Sequence, residues 1–315
     1  MKKKLTVFLA VEAIFCVILA LLSKALPSFF GGLISFPFRP IGLGLRALSL
    51  SGGMGNAAAI GLYIAFCLIP VGFLLSRKKW SWEDSLLVVL SAVLFPAMYL
   101  MVNPQLQGQW LGQMQSMMGT EIMGAVLWSI LAGYGILKLL RRCHGAEEGL
   151  LMDYLKWLLA ALAAFYILGA FGTGLEELIA SLESVTMQNT AGGLGTTYFF
   201  LVLQYILNIL PNLLFCTLLL SAVELLEEMI REPYSETVIA IAEHLGIRCG
   251  RILGITVVSS LIFNLLQLIC MRNLRVVNAM VRLPLDVVAL VIGLLLISRF
   301  IRSHRQLKEE NDFFI

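Results

Sequence analysis

Eight stretches of this chain are apolar and long enough to cross a bilayer, and that recurrence constrains the fold more than any other feature. They run over about 5–26, 56–76, 85–102, 120–140, 154–171, 197–222, 252–271 and 283–302. An α-helix rises about 1.5 Å per residue, so ~20 residues cover a hydrocarbon core ~30 Å thick. In lipid every backbone N–H and C=O needs an internal partner, which leaves helices and closed barrels as the spanning structures. A barrel would show ~10-residue segments of alternating polarity, and the chain has none. Of its 315 residues 59% are hydrophobic and 14% charged, against ~25% charged in soluble domains. The sequence therefore reads as an all-α polytopic helical membrane protein with about eight transmembrane helices.

The cations give it an orientation. With the N-terminus placed in the cytoplasm, 17 of the 23 Lys and Arg fall on inner segments and six on outer ones. The inner set includes Lys2–Lys4, Arg77–Lys79, Lys138, Arg141, Arg142, Arg248 and Arg251. Cytoplasmic loops carry such an excess, so both termini are expected inside. Met1–Leu26 also has the outline of a signal peptide, with Ser23-Lys24-Ala25 as a small-x-small site. Glu12 inside its apolar run points instead to an uncleaved first span. The net charge of +3 marks topology, since the basic, aromatic-interleaved stripe of a nucleic-acid binder is missing. The six cysteines, mostly within spans or inner loops, fit reduced thiols.

No polar segment is long enough to fold alone; below about 40 residues that needs staples. RRCHGAEEG at Arg141–Gly149 is the most polar short linker. It divides the chain into an N-terminal four-span region, 1–150, and a C-terminal four-span region, 151–315. Between the first two spans, Leu43–Leu50 with Arg46 suits an interfacial helix near headgroups, and Ser51-Gly52-Gly53 breaks the chain after it. Gly172–Gly195 reads as an outer loop with an acidic amphipathic turn over Leu175–Met187.

Glu12 is the one acid well inside a span. An acid there costs ~2.5–3.5 kcal/mol on insertion scales and marks a candidate proton or ion site. Asp286, just after Pro284, suits a helix start instead. Gln204, Asn208 and Asn212 form a strict i, i+4, i+8 stripe on span six. Thr256, Ser260, Asn264 and Gln267 form a second stripe on span seven. Because the two spans run antiparallel, their stripes are expected to face each other, either as a structural seam or as a polar path aided by Pro211. Cys143-His144 and His244 with Cys249 have zinc-ligand types without zinc-ligand spacing. No HExxH, P-loop, GxSxG or paired catalytic carboxylates occur. No metal, no cofactor and no enzymatic activity are expected.

Glu224–Arg251 is the long charged interruption. Glu224–Arg231 extends span six as a helical turn that Pro233 ends. Ser235 then caps a new helix, Glu236 suits its first turn, and Gly246 can close it. Val238, Ile241, Ala242 and Leu245 share one face, so an amphipathic helix over about 236–245 is expected on the inner membrane surface. IAEHLGIRCGRI is superficially like a helix-turn-helix. Its would-be recognition helix runs straight into span seven, so direct nucleic-acid contact is not expected.

Pro233-Tyr234-Ser235 in MIREPYSETVIAIAEHLG and the tail Leu307–Asp312 carry a resemblance. Residues from about 151 to 315 resemble a bacterial family of small four-span membrane proteins described only as a domain of unknown function. The match departs from the family pattern at Glu232, where glycine is expected nearby. The resemblance implies a multi-pass protein of the bacterial cytoplasmic membrane, often encoded beside a small helix-turn-helix regulator as a possible cytoplasmic partner. Two functions follow. The first is a non-enzymatic sensor or regulator that docks such a partner through Pro233, Tyr234 and Ser235, with Glu309, Glu310, Asn311 and Asp312 of the tail. The alternative is a small transporter or channel that uses Glu12 with Gln204, Asn208, Asn212, Ser260, Asn264 and Gln267. A cavity reaching mid-membrane beside these residues favours the second, and an exposed inner apolar patch favours the first.

Overall fold

A computed structural model describes residues 2–22, 29–77, 79–106, 116–144, 148–188, 194–232 and 235–274, with isolated positions between 289 and 296. Among the described residues every regular element is helical, and seven helical runs are long and apolar enough to cross a membrane. Apart from those isolated positions, the eighth expected span, 283–302, with Asp286, lies outside the described residues, as do the tail and Pro233-Tyr234. Large apolar side chains are exposed along these helices: Val7, Phe8, Val11, Ile14, Phe15 and Ile18 in the first alone. A water-facing surface would not carry so continuous an apolar patch; lipid accepts it.

The chain forms two compact units, one of Met1–Pro27 with Glu147–Ile315, the other of Ser28–Ala146. The division near 147 falls close to the linker expected at Arg141–Gly149. The first helix, however, groups with the C-terminal spans.

The first unit contains α1 (Lys2–Leu21), α7 (Glu148–Ile167), a π-helical segment (Leu168–Thr173), α8 (Gly174–Gln188), α9 (Gly195–Arg231) and α10 (Glu236–Cys270). The α7–π–α8 run is continuous, so Leu175–Met187 extends span five as a helix and is not a loop turn. The glycines at 172 and 174 are absorbed by the π turn without ending the helix. α9 ends at Arg231, two residues before Pro233, with the Glu232 N–H bonded to the Glu228 carbonyl. Ser235 caps α10 as expected, its hydroxyl accepting from the Val238 N–H at 3.3 Å.

α10 does not stop at Gly246. The separate surface helix expected over 236–245 is the first part of a 35-residue helix. Val238, Ala242 and Leu245 are buried in register with Cys249 and Ile252, packed with Phe215, Leu218, Ala222 and Leu225 of α9. A glycine inside a helix costs about 1 kcal/mol. Each fully buried aliphatic side chain outside lipid gains ~1.5–3 kcal/mol. The stripe therefore outweighs the break. Leu9 of α1 and Leu159, Ala163 and Ile167 of α7 complete this core.

The second unit contains α2 (Phe29–Ser35), α3 (Phe38–Ser49), α4 (Gly53–Leu75), a short 3-10 turn (Trp82–Asp84), α5 (Ser85–Val102) and α6 (Ser116–His144). α3 is the amphipathic element expected near Arg46, and it buries Phe38, Gly42 and Leu45. Gly52 joins α3 to α4 at φ +129°, a value that L side chains rarely adopt. The core of this unit gathers Phe38 and Leu45 with Cys67, Leu94, Met98 and Leu127.

Candidate functional site

The span-six stripe lines a cavity of about 220 Å³ in the first unit. Gln204, Asn208 and Asn212 form one wall, with Leu201 and Tyr205 beside them. Thr173 of the π segment and Gly174, Glu177 and Ser181 of α8 form the other. From Leu201 to Asn212 the cavity follows α9 for eleven residues, roughly 16 Å, or about half of a ~30 Å hydrocarbon core.

The π segment shapes this site. The Gly174 N–H donates to the Gly169 carbonyl five residues back, and the Thr173 hydroxyl donates to the same carbonyl at 3.2 Å. The Tyr205 hydroxyl crosses from α9 to the Ala170 carbonyl at 3.4 Å. A Cβ on Gly174 would stand 2.9 Å from the Gly169 oxygen and 3.6 Å from the Tyr205 ring, so the wall has room for glycine only. Single π turns inside α-helices occur often at functional sites. On the facing helix Pro211 removes the hydrogen bond that the Leu207 carbonyl would otherwise receive. Irregular backbone thus borders the cavity on the π side, and membrane interiors tolerate it where a cavity is lined.

Among the described residues of the lining, Glu177 is the one that carries a charge. The other polar groups are amides and hydroxyls, which accept and donate. Such a cavity suits a neutral polar or cationic occupant and disfavours an anion.

Glu12 lies on α1, which packs against the π segment, α7, α8 and α9. Its Oε2 is buried without a hydrogen-bond partner among the described residues. Cys16 on the same helix and Cys216 on α9 lie near it. Cys216 sits one turn beyond Asn212, and its thiol donates to the Ala163 carbonyl at 3.4 Å. Glu12 is therefore placed near the deep end of the stripe, although it does not line the cavity.

The span-seven stripe is placed differently. Ser260 and Gln267 are buried and Asn264 half-buried, yet none of the three lines the cavity. The Ser260 hydroxyl donates within α10, to the Thr256 carbonyl at 2.9 Å. Phe200 and Phe263 pack between α9 and α10 with ring centroids 6.1 Å apart. Of the docking residues, Ser235 spends its hydroxyl on the α10 cap; Pro233, Tyr234, Glu309, Glu310, Asn311 and Asp312 lie outside the described residues. Among the described residues no group of three or more His, Cys, Asp or Glu is placed to hold a metal.

Sequence reasoning missed a charged cluster in the second unit. Arg77 bonds Asp84 at 3.0 Å, and Arg141 bonds Glu83 at 2.7 Å. The Ser81 N–H and hydroxyl both donate to Asp84, and Lys138 reaches the Tyr134 hydroxyl at 2.9 Å. Both carboxylates are buried. Serine three residues before aspartate is a capping-box spacing, and that was the available signal. The pairing of Glu83 with Arg141 of α6, 58 residues away, left no local trace.

Neither a family model, nor a curated protein, nor a solved structure matches the chain. The resemblance over 151–315 rests on its motifs alone.

Proposed function

We propose that this chain is a small transporter or channel of the bacterial cytoplasmic membrane, both termini inside, whose path runs through the first unit. The carrying observation is the cavity between α9 and the π–α8 wall, lined by Gln204, Asn208 and Asn212. Polar groups inside a span are costly and tend to line substrate pathways. A π turn such as Leu168–Thr173 inside a continuous helix is frequent at functional sites. The occupant is a small neutral or cationic solute, set by Glu177 and the amides. Glu12, near the deep end but outside the lining, is the protonatable group beside the path.

The sensor reading relied on an exposed apolar face at 238–245 and on the tail. That face is buried against α9, so the reading retains the tail and the possible helix-turn-helix partner as its support.

Flux into proteoliposomes tests the proposal, with methylammonium, urea and glutamate as probes. Methylammonium or urea should enter faster than into empty liposomes, and glutamate should not. Asn212→Leu should cut the entry about tenfold or more. Entry of neither probe, or entry indifferent to Asn212→Leu, would reject it.

A further inference from the structure

We propose that the second unit carries a separate binding site for an anionic phospholipid, in a cleft where α3, the start of α4 and the end of α5 meet. The cleft encloses about 400 Å³ and is independent of the solute path.

Its two ends differ in chemistry. The rim holds Ser49, Asn56 and Asn103, at the end of α3, the first turn of α4 and the C-cap of α5. The Ser49 hydroxyl donates to the Asn56 Oδ1 at 2.7 Å, and the Asn103 amide donates to the Tyr99 carbonyl at 3.0 Å. These three side chains make the rim polar. Arg46, one turn before Ser49, donates to the carbonyl of Val102, itself a cleft residue. Arg46 does not line the cleft, but this bond places its guanidinium beside the lining residue Val102, next to Asn103 of the rim.

The opposite end is apolar. Ala59, Ile60, Tyr63 and Ile64 follow α4 inward from Asn56, a distance of about 12 Å over eight residues. Tyr63 turns its polar atom away, its hydroxyl donating to the Phe95 carbonyl at 2.7 Å, so the ring serves as wall. Ile60 and Ile64 are exposed although they lie on the cleft.

A polar, cationic rim at helix termini above an apolar trough matches an amphiphile with a phosphate head and an acyl tail. Helix ends lie at headgroup depth in a span of this length. Arginine meets phosphate with planar, multiple N–H donors. A water-soluble ligand would leave the trough unfilled, and a zwitterionic phosphatidylcholine would bring its quaternary ammonium, a second cation, beside Arg46. The charged Arg77–Asp84 and Arg141–Glu83 cluster lies at the far ends of α4 and α5, so it does not contribute to the rim.

Native mass spectrometry of the delipidated full chain tests the site, with phosphatidylglycerol and phosphatidylcholine as separate probes. The wild-type chain should retain one phosphatidylglycerol at a detergent energy that strips the rest, at least fivefold more than phosphatidylcholine. Ile60→Trp, which fills the trough, should abolish the retained adduct while the melting temperature holds. Arg46→Gln should erase the preference for phosphatidylglycerol. If Ile60→Trp does not fold, Ala59→Leu is read in the same way. Equal retention by a folded trough-filling variant, no preference in the wild type, or a retained detergent molecule only would overturn the proposal.

Discussion

Glu12 is the residue whose surroundings say most. It sits in a span, has no basic neighbour in its own helix, and keeps one carboxylate oxygen buried without a hydrogen bond. A residue retained for packing would be better replaced by leucine, since an acid at mid-span costs ~2.5–3.5 kcal/mol. Glu12→Leu should therefore raise the melting temperature in detergent while lowering solute flux. A fall in melting temperature would show that the carboxyl is a structural strut. Arg141 and Arg142 make a second contrast. Both are exposed, but Arg141 bonds the buried Glu83, and an ion whose partner is removed is left uncompensated. Arg141→Ala should lower the melting temperature clearly and Arg142→Ala should leave it nearly unchanged. In sequence the two were indistinguishable members of an inner cation group.

Helix periodicity was legible at the scale of elements, and helix continuity was not. The i, i+4, i+8 stripe of α9 and the Ser235 cap could be read because both are local patterns. The π segment could not, because its i→i+5 bonding depends on how Gly174 meets Gly169 and Tyr205 across two helices. Gly246 looked like a stop for the same reason. Whether a glycine ends a helix depends on what the next turns bury, and α9 supplies that surface. The continuous helix predicts that Leu245→Ala costs about 2–5 kcal/mol, as for other buried leucines. Ile247→Ala, on the exposed side, should cost little. Chemical denaturation of the two variants separates a packed helix from a surface one, which predicts equal, small losses.

At the scale of the molecule, the class was clear from the apolar runs, because a span must be long, apolar and helical whatever its neighbours. Unit membership was not clear. Counting four spans on each side of the polar linker places α1 with its sequence neighbours. Leu9 instead joins the core built by α7, α9 and α10. Association of helices in lipid is decided by close side-chain packing, not by exclusion from water, so hydropathy carries no record of it. The two proposals give the units separate tasks, a polar solute path for one and a lipid cleft for the other.

The central claim is that the cavity along α9 admits water and solute to mid-membrane. Its most direct measurement is thiol accessibility in a background with all six cysteines replaced. Gln204→Cys, Asn212→Cys and Ile206→Cys would each be exposed to a membrane-impermeant, positively charged methanethiosulfonate in sealed vesicles, from either side. Ile206 lies between the other two in depth and is exposed on the helix surface outside the cavity lining. The account predicts rapid modification at 204 and 212 and none at 206. Modification at 212 no faster than at 206 would contradict it.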